Sequence, residues 1–158
     1  SPRQFAKLKK SRSKRSHFFN CACVGFDFPK PNIELMYSNL MSVALEGAND
    51  IADPVAHAKA GESHSDKEEI YVFSAQARTL QSVLVEAKSP RLIDLLSLDV
   101  EGGELEVLRG IDFEHTNFKY IVLETRSINE IREFLNPMGY EEIAKLSHHD
   151  YIFRWTRI

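Results

Sequence analysis

The chain has 158 residues, 43% apolar and 27% charged, with a net charge of −3. That is the size and balance of one globular domain spanning residues 1–158, large enough to bury a real core. No apolar run approaches the ~20 residues of a membrane span and no secretory leader opens the sequence, so no membrane partner is expected and the expected compartment is the cytoplasm.

Residues 1–16 carry seven Lys/Arg and no acid, leaving the rest of the chain at −10. "PRQFAKLKKSR" predicts an amphipathic helix, with Phe5 and Leu8 on one side and Lys7, Lys9 and Lys10 facing water. No nucleic-acid motif accompanies it, so its basic face is read as solvated and nucleic acid is not an expected partner. "SHFFNCACVGF" (16–26) predicts a strand. Its Cys21 and Cys23 are too close for an easy disulfide and too few for a zinc site, and are expected as small core residues. "PKPN" punctuates, and "IELMYS" (33–38) predicts a second strand. Residues 46–68 are polar and aperiodic and are expected as a long surface loop.

From residue 69 the pattern alternates. "EIYVFSAQA" predicts a strand, and Thr79 caps a helix with Leu80, Val83, Leu84 and Ala87 inward. "RLIDLLSL" has too little alternation for a half-exposed strand and is expected to be a parallel strand covered on both faces. "ELEVLRG" predicts a short helix closed by Gly110. "FKYIVLET" predicts another strand, and Ser127 with Glu130 has capping-box spacing before the next helix. "EEIAKLS" and "YIFRWTRI" form a hairpin around "HHD". This order defines an α/β fold with a mostly parallel sheet and a closing antiparallel hairpin.

In open sheets of that class, ligands sit beyond the carboxyl ends of the strands. "SLDVEGGELEVLRG" (97–110) falls there, as does Glu124 at the end of the next strand. Asp99 and Glu101 share a side if the strand runs through them. Together they suit a general base for a substrate hydroxyl, a hard divalent ion, or contact with a cationic cofactor. Gly102 and Gly103 allow a tight turn. Glu104 and Glu106 are read as complements to the helix dipole on a solvated face. His57 and His64 can reach a site only if the long loop folds over it, and His148 and His149 belong to a turn.

"ARTLQSVLVEAKSPRLIDLLSLDVEGGELEVLRGIDF" and "FKYIVLET" resemble the hallmark region of the FkbM-type methyltransferases, and "FAKLKKSRSKRSHFFNCACVGF" resembles the segment after that family's second strand. The resemblance implies the class I, Rossmann-like methyltransferase fold, with S-adenosylmethionine as cofactor and a hydroxyl oxygen of a sugar or small natural product as acceptor. It places Asp99 and Glu101 as catalytic acids facing cofactor and acceptor, with Asp99 also beside the cofactor and Asn20 near its adenine. Asp99 is the expected proton acceptor; Glu101 would position the hydroxyl or help hold a divalent ion, for which nothing else in the sequence speaks.

The sequence departs from that family in lacking its glycine-rich loop and the acid that holds the ribose hydroxyls. Family sheets run 3-2-1-4-5-7-6, so the chain is expected to be the carboxyl-terminal part of a methyltransferase, with strand 3 on one side of a gap and 4-5-7-6 on the other. On its own it can then be inactive. The alternative expectation is a catalytically inactive methyltransferase-like binding domain.

Overall fold

The computed structural model describes residues 1–13, 15–47, 50–60 and 70–157. Pro2 opens helix α1 (Pro2–Ser11) where a missing N–H costs nothing. None of its residues is buried, and it docks through polar tips. The Gln4 amide donates to the Tyr37 hydroxyl at 2.6 Å, and the Arg3 guanidinium lies 5.2 Å from the centre of the Tyr71 ring.

The aromatic run after it yields only the three-residue strand β1 (Cys21–Cys23). It is shorter than the expected 16–26, since only these residues pair, in parallel, with β4 (Tyr71–Arg78), Cys21 opposite Gln76 and Cys23 opposite Arg78. Strand β2 (Asn32–Tyr37) is antiparallel to β4, and the two-residue β3 (Val43–Ala44) is antiparallel to β2. The first sheet therefore runs β1-β4-β2-β3.

Residues 46–68 are not all loop: Pro54–Ala60 form helix α2. Asp53 caps it, its Oδ1 accepting the Ala56 N–H at 2.9 Å, with Pro54 as first helical residue. Ala58 and Val43 are fully buried between α2 and β3, with Ile51 and Met36 beside them. Residues 48–49 and 61–69, with His64, lie outside the described residues.

The second sheet is built from β5 (Leu92–Leu98), β6 (Asn117–Glu124), β7 (Tyr140–Lys145) and β8 (Asp150–Trp155), in the order β5-β6-β8-β7. Helices α3 (Leu80–Glu86), α4 (Glu104–Arg109) and α5 (Ile128–Leu135) alternate with its strands as expected. Thr79 caps α3 by accepting the Ser82 N–H at 3.2 Å. Ser127 makes no side-chain cap bond on α5; its own N–H and that of Arg126 donate to the Asp50 carboxylate. Phe118, Ile121 and Leu123 of β6, with Phe153 of β8, are almost wholly buried against Leu108 of α4 and Ile131 of α5.

Two expectations are corrected. The strands form two mixed sheets, neither of them mostly parallel: only β1/β4 and β5/β6 are parallel pairs among the described residues. Strand β2 returns antiparallel onto β4, and the closing hairpin places β8 antiparallel against β6. Nor is β5 covered on both faces. It is the edge of its sheet, and Leu95 is 52% exposed beside its exposed partner Tyr120.

Gly110 closes α4 as expected, but its φ of −93° is open to any residue. What requires glycine is contact: a Cβ there would lie 2.2 Å from the Val24 carbonyl oxygen just past β1. The end of α4 thus packs directly on the backbone just past β1. No helix of the described residues is long and apolar enough to cross a membrane.

Candidate active site

Strand β5 ends at Leu98, and residues 99–103 turn the chain into α4. Glu101 and Gly102 are both left-handed, with φ of 53° and 95°. For glutamate that conformation costs of order 1–3 kcal/mol and persists only where surroundings enforce it. Glu104 supplies much of the enforcement. It is 2% exposed, and its Oε1 accepts the N–H groups of Val100 at 3.0 Å and Gly102 at 3.3 Å. Burial lifts its carboxyl above the ordinary range against the pull of those bonds, and the charge of Asp50 adds to the rise. Glu104 is thus a buried brace of the turn, not a solvated dipole complement.

Because the strand stops at Leu98, its alternation does not carry through the acids. Asp99 is exposed at the tip. Glu101 turns beneath α2, where its Oε2 meets His57 Nε2 at 2.9 Å, the two side chains being 16% and 11% exposed. Both acids act on Glu124 at the end of β6. Burial first, then the charges of Asp99 and Glu101, raise the Glu124 carboxyl above its ordinary value, against the opposing effect of Arg126. The three acids thus converge at the carboxyl ends of two neighbouring parallel strands.

The segment carrying His57 is fastened over these ends by Asp50. Its N–H donates to Gly102 O at 2.9 Å, and its Oδ2 accepts from Thr125 Oγ1 at 3.1 Å, Arg126 N at 2.7 Å and Ser127 N at 3.2 Å. A Cβ on Gly102 would lie 2.9 Å from both Asp50 Oδ1 and Ile51 Cγ1. Gly102 therefore serves the close approach of this segment as well as the turn.

Beside the turn lies a mostly apolar cavity of about 400 Å³. Strand β1 and one face of β2 and β4 wall it on one side, β5 and α4 on the other; Asn20, exposed just before β1, stands in its lining. Leu98 and Val100 line it too, whereas Asp99 and Glu101 stand outside that lining on the same turn. Cys21 and Cys23 line the cavity as free, partly buried thiols, and Cys23 also packs against the core as expected. The neighbouring Cys23 thiol, aided by Arg78, lowers Cys21 to about 7, whereas Cys21 and burial push Cys23 up.

One further group could accept a metal by proximity. The ligand atoms of Asp112, Glu114 and His115 lie within 4.8 Å of one another. They precede β6, at the end of the sheet opposite the converging acids, and Asp112 is already bonded to His115 at 2.7 Å.

The sequence placed Asp99, Glu101 and Glu124 at the strand ends and made His57 conditional on the long loop folding over the site, as its segment does, but gave no place to Asp50. The signal for His57 was present in "DP" at 53–54, a cap followed by a proline suited to the first helical position. Asp50 carries no local signal, since its partners lie more than 50 residues away.

Acids gathered at the carboxyl ends of adjacent parallel strands, beside an apolar cavity, lie where open α/β sheets hold their ligands. The model of the methyltransferase FkbM domain family matches residues 10–152, and the chain belongs to that family. It is also similar to the methyltransferase sdnD of Sordaria araneosa, with 54% identity over 41 residues. That similarity covers 25% of this chain and 16% of the length of the other. No solved structure matches the chain.

Proposed function

We propose that this chain is an S-adenosylmethionine-dependent O-methyltransferase, or the carboxyl-terminal part of one, acting on a hydroxyl of a sugar or small natural product. Within the methyltransferase family, the observation that carries this reading is the convergence of Asp99, Glu101 and Glu124 at the strand ends beside the cavity. The order β5-β6-β8-β7 is that of strands 4-5-7-6 in a class I sheet, and β1 would be strand 3.

The lining suits the cofactor in part: apolar walls fit a flat heterocycle, and the Asn20 amide can meet its edge. Asn20 and Asp99 would hold S-adenosylmethionine, which when bound supplies an electrophilic methyl group on a sulfonium. The chain's own task is alignment and proton removal. Glu101, fixed by His57, orients the acceptor hydroxyl toward the methyl carbon. Asp99 is free at the tip to take the hydroxyl proton as the C–O bond forms.

Incubation of the chain with S-adenosylmethionine carrying a trideuterated methyl group and a panel of sugars and hydroxylated natural products tests this. A 17 Da gain on one acceptor, absent in Asp99→Asn, is the expected result; the figure is about that of replacing one hydrogen by CD3 in an in-line transfer. Cofactor binding with no transfer to any acceptor would favour the inactive binding domain.

A further inference from the structure

Strand β1 carries two thiols that the proposed methyl transfer does not use. Cys21 and Cys23, two apart on the strand, share a side of it and both line the apolar cavity of about 400 Å³. They differ in access. Cys21, with Ser1 and Asn20, also lines a surface groove along α1, walled by Phe5, Leu8 and Phe19, and so stands where that groove meets the cavity. Cys23 lines the cavity but not the groove, and packs against the core. Their chemistry differs as well. The neighbouring Cys23 thiol, then the Arg78 guanidinium, lower Cys21 to about 7 against burial and the charge of Glu86. Cys21 and burial push Cys23 up, so it keeps its proton. A partly exposed thiolate beside a cation is the reactive kind of cysteine, and a buried protonated thiol is inert.

We propose that Cys21 is a covalent modification site for small apolar α,β-unsaturated carbonyl compounds, which enter by the groove and seat their apolar part in the cavity. The Cys21 thiolate, its proton already given to water, adds through sulfur to the β-carbon. The electron pair of the C=C π bond moves to the α-carbon, which takes a proton from water. One C–S and one C–H bond form, one π bond breaks, nothing leaves, and no oxidant is consumed. The adduct stands at the cavity mouth and closes it to other small molecules. Thiolate content supplies only part of the preference. At pH 7 a thiol lowered to about 7 holds roughly 15 times the thiolate of a free cysteine, but its weaker nucleophilicity offsets about fivefold, leaving roughly threefold. The cavity supplies the rest, since burying two methylenes of the electrophile contributes roughly tenfold. The modification is read on the chain itself and does not depend on methyl transfer.

The test is timed labelling of the full, reduced chain with 1-octen-3-one and with acrylamide as the polar reference, each rate taken relative to free cysteine and each site read by peptide mass. A single addition at Cys21 is expected, roughly threefold faster than on free cysteine for acrylamide at pH 7. The advantage should be roughly tenfold larger for octenone. The rate should be half-maximal near pH 7, and Cys23→Ala should move that midpoint up. Cys21→Ser should abolish the addition, and Cys23 should react only after unfolding in urea. The rates, sites and midpoint of the unsubstituted chain decide the matter whether or not either variant folds. Labelling of Cys21 no faster than free cysteine, equal labelling of Cys23 in the folded chain, or the same advantage for both probes would each overturn the proposal.

Discussion

Gly110→Ala probes the backbone contact between the end of α4 and Val24, just past β1. The added Cβ would stand 2.2 Å from the Val24 carbonyl oxygen and 3.3 Å from its carbon. An ordinary C···O contact is roughly 3.3 Å, so backbone must give by about 1 Å. Neither partner is a flexible side-chain end: Val24 N is tied to Arg78 O at 2.9 Å, and Gly110 O accepts the Gln81 N–H at 2.9 Å. Overpacking costs typically 1–3 kcal/mol, and a backbone-on-backbone clash lies toward the upper end. Replacing glycine returns about 0.4–1 kcal/mol through the unfolded state. The net loss is about 2 kcal/mol, or roughly 4–8 °C in melting temperature for a chain of this size. Gly103→Ala is the control, since its Cβ would meet nothing closer than 3.6 Å. Urea unfolding of both variants reads the difference. A loss below about 0.5 kcal/mol for Gly110→Ala would refute the packing of α4 against the end of β1.

Leu108→Ala, at a fully buried position of α4, should cost about 2–5 kcal/mol by chemical denaturation. Replacing Lys9 and Lys10 with Gln on the exposed face of α1 should leave melting nearly unchanged. In an active preparation, Asp99→Asn should lower kcat far more than cofactor affinity; an effect confined to affinity would remove Asp99 from the proton-acceptor role. The raised carboxyls of Glu104 and Glu124 give a pH dependence. Each binds its proton more tightly folded than unfolded, so its contribution is full below the ordinary carboxylate range and is lost as pH rises through the raised folded value. Stability of Glu104→Gln should therefore fall less over that window than stability of the parent, as followed by urea midpoints.

What the sequence disclosed was mostly local. Thr79 before Leu80, the alternating pattern of "FKYIVLE" and the acids after "LIDLLSL" each act within a few residues, and each element formed where it was read. The failures share a different cause. Whether "LIDLLSL" is covered on both faces depends on which strands lie beside β5, and its own residues do not encode that. Glu104 has the composition of a helix-dipole acid, yet the tight 99–103 turn draws it inward onto Val100 and Gly102. Ser127 and Glu130 had capping spacing, but the Ser127 N–H that Glu130 would take is held by Asp50 from a distant segment. His57 met Glu101 through the packing of Ala58 against Val43 and the bonds of Asp50 to the end of β6. Local chemistry was legible at the candidate site; the partners brought by tertiary packing were not.

The most direct measurement is a two-dimensional amide NMR titration of the ¹⁵N-labelled chain with S-adenosylhomocysteine up to millimolar concentration, where even weak binding registers. Saturable shifts confined to Asn20–Val24 and Leu98–Gly103, the two margins of the apolar cavity, are expected of a methyltransferase cofactor site there. Shifts concentrated instead around Asp112–His115, or no saturable shift at any amide, would contradict it.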